Sequence, residues 1–333
     1  VTYMIEIGRR TGLFDAAAAG PATSHELAAR AGLHERYVRE WVGAMVTAGV
    51  LEHDADNAAS WLAPQHAASL TGRSATNIAA LAMFTTDLAR HVPAVAESFR
   101  TGGGVPFDAF LPEMHVAMDE LWGPMYDELL IEAIVPLAPG LHELLDAGAR
   151  VAEIACGSGN ALTVLARAYP RSTFVGIDID PTGIARARAR TRELELTNVE
   201  YVVADAAETV IEPAVDAIFV FNAIHDQVSP SNVLANIRDS LVPGGVFVMD
   251  EPAISSDLAD NVDNPMAPFT YAVSTLHCLT VSLAHGGAGL GTAWGRQTAQ
   301  SMLADAGFGA VAVHEAPGDP GNAIFVTHRP HGA

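Results

Sequence analysis

From residue 146 onward, short apolar runs alternate with longer stretches in which apolar residues recur at helical spacing. The apolar runs predict seven strands, which begin at Val151 and continue with Thr173–Ile177, Val199–Val203, Val215–Phe221, Val246–Met249, Ala310–Glu315 and Ala323–Thr327. The intervening amphipathic stretches predict the helices Ala161–Ala168, Thr182–Glu195 and Ser231–Leu241. Strands that alternate with helices predict an α/β fold with a parallel sheet, and the last two strands predict a closing hairpin.

The first 75 residues follow a different pattern, which predicts a mostly helical winged helix-turn-helix domain. Polar residues from Thr23 begin one helix, and a second predicted helix covers Glu35–Ala48. Two short predicted strands, Gly49–His53 and Ser60–Ala63, form the wing. A DNA-binding role is disfavoured because residues 1–75 contain six arginines against eight acidic residues and so lack a basic surface.

Residues 76–145 are predicted as a helical bridge between this domain and the α/β domain at 146–333. The predicted helices of the bridge are Asn77–Arg90, Val92–Phe99, Met114–Leu121 and Tyr126–Val135. A chain of 333 residues with 50% hydrophobic residues is long enough for about two domains with cores of their own.

The charge balance narrows the range of partners. The chain has 39 acidic residues against 18 arginines and no lysine, which gives a net charge of −21. Such a field repels nucleic acid and anionic membranes, so we expect a small-molecule substrate. Without lysine, Schiff-base chemistry and a P-loop nucleotide site are both excluded. Two cysteines and no apolar run of membrane-spanning length predict a cytoplasmic protein.

A glycine turn after the first strand of the α/β domain carries the strongest functional signal. Gly157 and Gly159 predict a tight turn at which the backbone can approach a ligand, and Glu153 lies within the preceding strand. The second strand ends at Asp178, whose carboxylate can bind both hydroxyls of a ribose. Leu162 occupies the third glycine position of the dinucleotide fingerprint, so these residues predict an adenosine cofactor other than a dinucleotide.

These residues resemble motif I and the following acidic loop of the class I S-adenosylmethionine-dependent methyltransferases, with Ala155 at the first glycine position of the motif. The resemblance implies a Rossmann-like, seven-stranded sheet that ends in an antiparallel hairpin. It also implies S-adenosyl-L-methionine as the cofactor, an N-terminal domain that serves as lid and dimer interface of a homodimer, and a bridge that roofs the pocket. The implied cofactor-binding residues are Glu153, Ala155, Gly157, Gly159, Asp178, Ile179, Asp205, Ala206 and Asn222.

Two histidines and a carboxylate are candidates for the chemistry. His225 and Asp226 follow the fourth strand at its carboxyl end, where open α/β sheets place their reactive groups. His277 lies in a long insertion, 264–294, before the last helix. Two histidines and a carboxylate can form a metal site with open positions, but this spacing alone favours a core histidine or a general base over a metal site.

The chain also resembles a winged-helix group of methyltransferases that includes the 2-oxo-acid C-methyltransferases of antibiotic biosynthesis, of the phenylpyruvate C-methyltransferase type. That resemblance implies that His225, Asp226 and His277 bind iron or zinc, and that His225 and Asp226 are catalytic. A metal ion that chelates a 2-oxo acid would stabilise its enolate, whose β-carbon then attacks the methyl group.

Two alternatives remain open. The first is a metal-independent O-methyltransferase in which His225 deprotonates a hydroxyl group and Asp226 orients the ring. The second is a regulator whose pocket senses S-adenosylmethionine and whose winged helix contacts DNA or protein.

Overall fold

A computed structural model describes residues 1–332. These residues form two compact units, one of Val1–Arg90 with Val116–Met125 and the other of His91–His115 with the chain from Tyr126 onward. The predicted boundaries near residues 75 and 145 therefore stay predictions, because the compact units divide the bridge differently. No helix within the described residues has the length and apolar character needed to span a membrane.

The first unit contains helices and one short hairpin, as predicted for a winged helix-turn-helix domain. Its elements are α1 (Thr2–Thr11), α2 (Leu13–Ala18), α3 (Ser24–Ala31), α4 (Glu35–Thr47), β1 (Glu52–Asp54), β2 (Ala59–Trp61), α5 (Pro64–Leu70) and α6 (Ala80–Ala89). A reciprocal capping box fixes the start of α3, because the Thr23 hydroxyl accepts the Glu26 N–H and the Glu26 carboxylate accepts the Thr23 N–H. Phe14 and Trp41 meet edge to face in its core at 5.2 Å.

The second unit contains the large sheet. Its helices are α7 (Val92–Thr101), α8 (Glu113–Leu129, shared with the first unit), α9 (Leu141–Ala147), α10 (Asn160–Ala168), α11 (Pro181–Glu193), α12 (Pro230–Ser240), α13 (Ala267–Val273), α14 (Leu279–Ala284) and α15 (Gly295–Asp305). Its strands are β3 (Arg150–Ile154), β4 (Thr173–Asp178), β5 (Val199–Val203), β6 (Val215–Phe221), β7 (Leu241–Pro252), β8 (Ala312–Ala316) and β9 (Asp319–His328).

Helix α8 differs from the prediction. The sequence predicts one helix ending at Leu121 and another starting at Tyr126, whereas the structure has a single helix that continues through Pro124. A proline in a helix interior removes one backbone hydrogen bond and normally interrupts the helix. Met125 and Tyr126 are both buried here, and we attribute the continuity of the helix to the burial of these side chains.

The sheet confirms the predicted Rossmann-like, seven-stranded architecture. Its strand order is β5-β4-β3-β6-β7-β9-β8, with parallel pairing from β5 to β7 and antiparallel pairing of β7 with β9 and of β9 with β8. The chain runs outward from β3 in both directions, so the switch point lies between β3 and β6. Ligands of open α/β sheets bind at the carboxyl ends of the strands at such a point.

Strand β7 is longer than predicted. It runs to Pro252, three residues beyond the predicted end at Met249, because β9 pairs with it as far as Pro252 opposite Asn322. The extension places two acidic residues, Asp250 and Glu251, inside the sheet at its carboxyl edge.

Candidate active site

The predicted site residues of the α/β domain come from the carboxyl ends of four strands. Glu153 is in β3, Asp178 ends β4, and Asn222 follows β6. Asp205 follows β5, two residues after the last residue of that strand. The sheet therefore brings the predicted cofactor-binding residues to one edge, around the switch point.

Glu153 is a buried acid without a cationic partner. Its side chain is 4% exposed, and its Oε2 atom has no hydrogen-bond partner. Burial raises the pKa of Glu153 well above its usual value, although the Leu162 N–H acts in the opposite direction. An unsatisfied carboxylate oxygen at this depth is costly, and a bound cationic or hydrogen-bonding group would reduce that cost.

The glycine turn is built on left-handed backbone. Gly157 has φ 51° and Gly159 has φ 72°, and each conformation favours glycine. A Cβ on Gly157 would meet nothing within 4 Å, whereas one on Gly159 would lie 2.5 Å from the Tyr201 hydroxyl. Glycine is thus required at position 159 because a Cβ there would collide with Tyr201. Open space lies beside Gly157.

Ala155 also adopts a left-handed conformation, with φ 55°. This residue stands at the first glycine position of the motif, so the turn needs glycine-like backbone there as well. A residue with a Cβ pays about 1–2 kcal/mol for that conformation.

Replacing Ala155 with glycine is therefore expected to raise the free energy of unfolding by roughly 0.5–1 kcal/mol, since relief of strain exceeds the greater entropy of the unfolded chain. Urea denaturation measures this change. The matched control is Ala152→Gly, in the extended part of β3, which is expected to lower stability. A loss of stability in Ala155→Gly would contradict the assignment of strain.

Asp178 closes the turn from the neighbouring strand. Its Oδ2 accepts the Gly157 N–H and its Oδ1 accepts the Asp180 N–H, each at 2.8 Å. His115 reaches the same loop, with its Nε2 3.4 Å from the Asp180 carboxylate. These contacts hold the loop after β4 against the glycine turn, which orients Asp178 at the edge of the sheet.

The remaining predicted cofactor residues lie on loops. Ile179 is 65% exposed, which is unusual for a large apolar side chain directly after a buried strand. Asp205 accepts the Ala207 N–H at 2.8 Å and so shapes the loop that contains Ala206. Asn222 has φ 51° and donates its backbone N–H to the Asp250 carbonyl, while its side-chain Nδ2 is buried without a partner.

His225 forms a buried pair with Glu251. The His225 Nδ1 lies 2.5 Å from the Glu251 Oε2, and both side chains are almost fully buried. The other carboxylate oxygen of Glu251 accepts the Ile224 N–H at 2.8 Å, which fixes the loop after β6 to β7. Burial lowers the pKa of His225, but Glu251 and Cys278 together outweigh burial, so the pKa of His225 lies well above its usual value.

Asp226 is not the ring partner that the sequence suggests. Its carboxylate accepts a 3.4 Å hydrogen bond from Gln227 Nε2, whereas Glu251 holds the His225 ring. Loss of solvent around Asp226 raises its pKa to about 7, although His225 acts in the opposite direction. Glu251 lies 26 residues from His225 in sequence. The one signal that could have indicated it is the pair of acidic residues, Asp250 and Glu251, that follows the predicted fifth strand.

His277 lies in a π-helical turn, Ser274–Cys278, between α13 and α14. Such turns occur frequently at functional sites. The His277 Nδ1 is 3.6 Å from the Cys278 Sγ, and its Nε2 is buried without a partner. Phe107 and Phe110 face the His277 ring edge to face, with centroids 5.9 and 4.8 Å away.

Cys278 links the two histidines electrostatically. Burial raises the pKa of the Cys278 thiol, but His225 and His277 outweigh burial and lower it to about 5. The structure thus brings His225, Asp226 and His277 into one electrostatic cluster, in which both histidines act on the Asp226 carboxylate.

The predicted metal site gains no support from this geometry. Within residues 1–332, no group of three or more His, Cys, Asp or Glu side chains is arranged to hold a metal ion. Glu251 engages one ring nitrogen of His225 and leaves the other available, an arrangement that metal-binding histidines also have. The assignment of His225, Asp226 and His277 as ligands stays a prediction.

Two family models match the chain. Residues 1–72 match the Rv2258c-like winged HTH domain, and residues 145–307 match a methyltransferase domain. The chain is 32% identical over 147 residues to the trans-aconitate 2-methyltransferase of Methylobacterium nodulans, an alignment that covers 44% of this chain and 48% of that protein. The chain thus spans about half the length of the curated relatives it matches.

Solved structures resemble the chain over nearly its whole length, at identities that establish the fold alone. An O-methyltransferase family protein from Burkholderia thailandensis superposes with a TM-score of 0.72 at 20% identity, covering 100% of this chain and 95% of that one. The mitomycin 7-O-methyltransferase MmcR has a TM-score of 0.71 at 18% identity, with coverages of 98% and 94%. Human N-acetylserotonin methyltransferase has a TM-score of 0.67 at 16% identity, with coverages of 99% and 94%.

The winged helix-turn-helix elements, the seven-stranded sheet and the glycine turn at its switch point agree with both family matches. The chain therefore carries a methyltransferase domain at residues 145–307 behind a winged helix-turn-helix domain at residues 1–72.

Proposed function

We propose that this protein methylates a hydroxyl oxygen of a small molecule, with S-adenosylmethionine as the methyl donor and His225 as the general base. The observation that carries the proposal is the buried pair of His225 and Glu251 at the carboxyl end of β6 and β7. Strand β6 borders β3 at the switch point, so His225 follows the strand next to the glycine turn. Several solved structures of the same fold are named O-methyltransferases, which favours an oxygen acceptor.

The donor would be held at the glycine turn. We propose that Glu153 faces its aminoacyl end, that Asp178 binds the ribose hydroxyls, and that Asp205 meets the adenine. The open side of Gly157 and the exposed Ile179 side chain leave room for the nucleoside. Ala155, Gly159, Ala206 and Asn222 would complete this set through their backbone or side chains. The chemistry supplied by the donor is a methyl group on a positively charged sulfur.

His225 would activate the acceptor by removing its proton. A ring nitrogen of the neutral imidazole takes the hydroxyl proton while the acceptor oxygen forms a bond to the methyl carbon. The carbon–sulfur bond breaks and its electron pair stays on sulfur, so a sulfonium becomes a neutral thioether. Glu251, bonded to Nδ1, stabilises the imidazolium that forms and keeps the ring in one orientation.

Methyl transfer from labelled S-adenosylmethionine to a panel of phenols, hydroxylated aromatics and 2-oxo acids tests the proposal. We expect labelled methyl ethers from hydroxylated acceptors, with S-adenosylhomocysteine formed in equal amount. Label that appears only on carbon of a 2-oxo acid would contradict O-methylation. Failure of the protein to bind S-adenosylhomocysteine at all would contradict a methyltransferase function.

Metal-dependent C-methylation of a 2-oxo acid is the second candidate. The observations in its favour are the shared surroundings of His225, Asp226 and His277 and the raised pKa of Asp226, which suits a base for a carbon-bound proton. The side-chain arrangement does not by itself form a ligand set.

Chelation separates the two candidates. Treatment with EDTA and with 1,10-phenanthroline, followed by desalting, is expected to leave methyl transfer unchanged, because a His225–Glu251 pair needs no metal ion. The control adds zinc or ferrous iron back to the treated protein. Activity that disappears on chelation and returns with one metal would overturn the metal-independent mechanism and favour C-methylation.

The role of the first unit is proposed from the resemblance to class I methyltransferases. We propose that it forms the interface of a homodimer, which light scattering of the purified protein tests directly. The regulator alternative predicts a gel shift with DNA. At low salt the repulsion between DNA and this acidic chain is strongest, so we expect no gel shift there.

A further inference from the structure

Asp250 is a buried carboxylate that the proposed reaction does not use. It is 0% exposed, and neither of its oxygens has a partner at good hydrogen-bond geometry, although the Asn322 side chain lies close enough to lower the pKa of Asp250. Its neighbour Glu251 is equally buried but fully engaged, with one oxygen on His225 and the other on the Ile224 N–H. Side chains alternate along a strand, so Asp250 and Glu251 point to opposite faces of the sheet. Asp250 therefore belongs to a different environment from the His225 pair.

The strand register identifies the face on which Asp250 lies. Asp250 is opposite Phe221 in β6, and two residues earlier Phe219 is opposite Glu153 in β3. Residues in register on neighbouring strands share a face, and so do residues two apart along one strand. Asp250 thus shares its face with Glu153, the other buried carboxylate that has an unpartnered oxygen.

Tyr126 packs against Phe221, the residue in register with Asp250. Its ring packs on Phe221 with centroids 5.0 Å apart, and the side chain is 8% exposed. Burial raises the pKa of Tyr126 well above its usual value, and Asp250, Glu153 and Asp319 raise it further. The charges of three carboxylates therefore act on the phenol.

The charge on this face is uncompensated. Burial raises the pKa of Asp250, and Asp319 and Glu251 raise it further, with Asn322 and His225 acting in the opposite direction. Leaving two carboxylate oxygens unpaired at zero exposure is costly unless a cation or a set of donors reaches them. A positively charged nitrogen supplies both the countercharge and the N–H donors that the oxygens lack.

We propose that Asp250, with Asp319 and Tyr126 beside it, is a subsite for a positively charged amine. This inference rests on the proposed function. In a methyltransferase site, the amine would be either the amino group of the methyl donor or an amino group on the acceptor. Glu153 on the same face would share the charge of the ligand. On the acceptor, that chemistry is found in a hydroxylated aromatic amine.

Isothermal titration of the full chain and its Asp250→Asn variant tests the proposal. The four probes are S-adenosylhomocysteine, 5′-methylthioadenosine, tyramine and p-cresol. The first and third probes carry a positively charged aliphatic amine, and the second and fourth are related compounds without it (5′-methylthioadenosine also lacks the carboxylate). The variant is expected to lose roughly tenfold or more in affinity for an amine-bearing probe, with its matched neutral compound unaffected. Loss with S-adenosylhomocysteine assigns the subsite to the donor, and loss with tyramine assigns it to the acceptor.

A stability measurement excludes a merely structural role. Asparagine has nearly the same shape without the charge, so Asp250→Asn is expected to raise the melting temperature of the ligand-free protein. The matched control, Glu315→Gln, changes an exposed acid on β8 and is expected to alter neither affinity nor stability. Unchanged affinity for both amine-bearing probes, or a variant that is less stable than the parent, would overturn the proposal. If the parent binds neither adenosine compound, the proposed function itself fails, and the tyramine comparison still tests the subsite.

Discussion

Replacing His225 with asparagine is expected to lower kcat/KM for methyl transfer by about 10²–10⁴-fold, the usual contribution of a positioned general base. Asparagine can fill part of the ring's space and hydrogen-bond to Glu251, but it cannot accept the acceptor's proton. The affinity for S-adenosylhomocysteine is expected to stay unchanged, because the proposed donor site lies at the glycine turn. Steady-state kinetics with a labelled donor and titration with S-adenosylhomocysteine measure the two effects separately.

The matched control for this variant is His328→Asn, which changes an exposed histidine at the end of β9. It is expected to retain full activity. If His225→Asn is folded by circular dichroism, binds S-adenosylhomocysteine and still transfers methyl groups at close to the parent rate, His225 is not the base.

Replacing Glu251 with glutamine is expected to lower kcat by about 10²–10³-fold, because the neutral amide cannot stabilise the imidazolium and does not enforce one ring tautomer. The pH profile is expected to move as well. A protonated ring cannot act as a base, so activity in the parent rises as the pH increases through the raised pKa of His225. Without the Glu251 charge that pKa falls, and the rising limb shifts to lower pH while the plateau drops.

Asp226→Asn is the comparison that distinguishes the two candidate partners of His225. Asp226 forms a hydrogen bond with Gln227 rather than with the His225 ring. Asp226→Asn is therefore expected to reduce activity less than Glu251→Gln does. The rise of activity with pH, which His225 sets, is expected to stay near its original pH. A larger loss in Asp226→Asn, or an unmoved pH profile in Glu251→Gln, would show that Asp226 rather than Glu251 governs the base.

Local patterns were enough to predict the fold and the location of the site. Apolar runs of strand length, separated by amphipathic helices, require a parallel sheet whose buried strands need helices on both faces. The glycine turn is recognisable from a few adjacent residues, because its backbone conformation depends on Gly157 and Gly159 themselves. The end of β7 was missed for the opposite reason, since Asp250 and Glu251 are strand residues only because β9 pairs with them.

The partners within the site depend on distances that the linear chain does not contain. The sequence places Asp226 beside His225, yet the register of β6 with β7 puts Glu251 against the ring. Similarly, Gly159 is needed because Tyr201 lies 2.5 Å from where its Cβ would be, a contact made by another strand. His277 and Cys278 reach the His225 cluster through the π-helical turn of the insertion.

By itself, then, the sequence determined the class of fold, the donor turn and the identity of His225 as a chemical candidate, because each of these is encoded in neighbouring residues. The tertiary structure alone decided which carboxylate bonds to the His225 ring, and it left Asp250 buried without a partner on the opposite face. The physical reason is that strand pairing and side-chain alternation, which act between distant segments, set the direction in which each buried charge points.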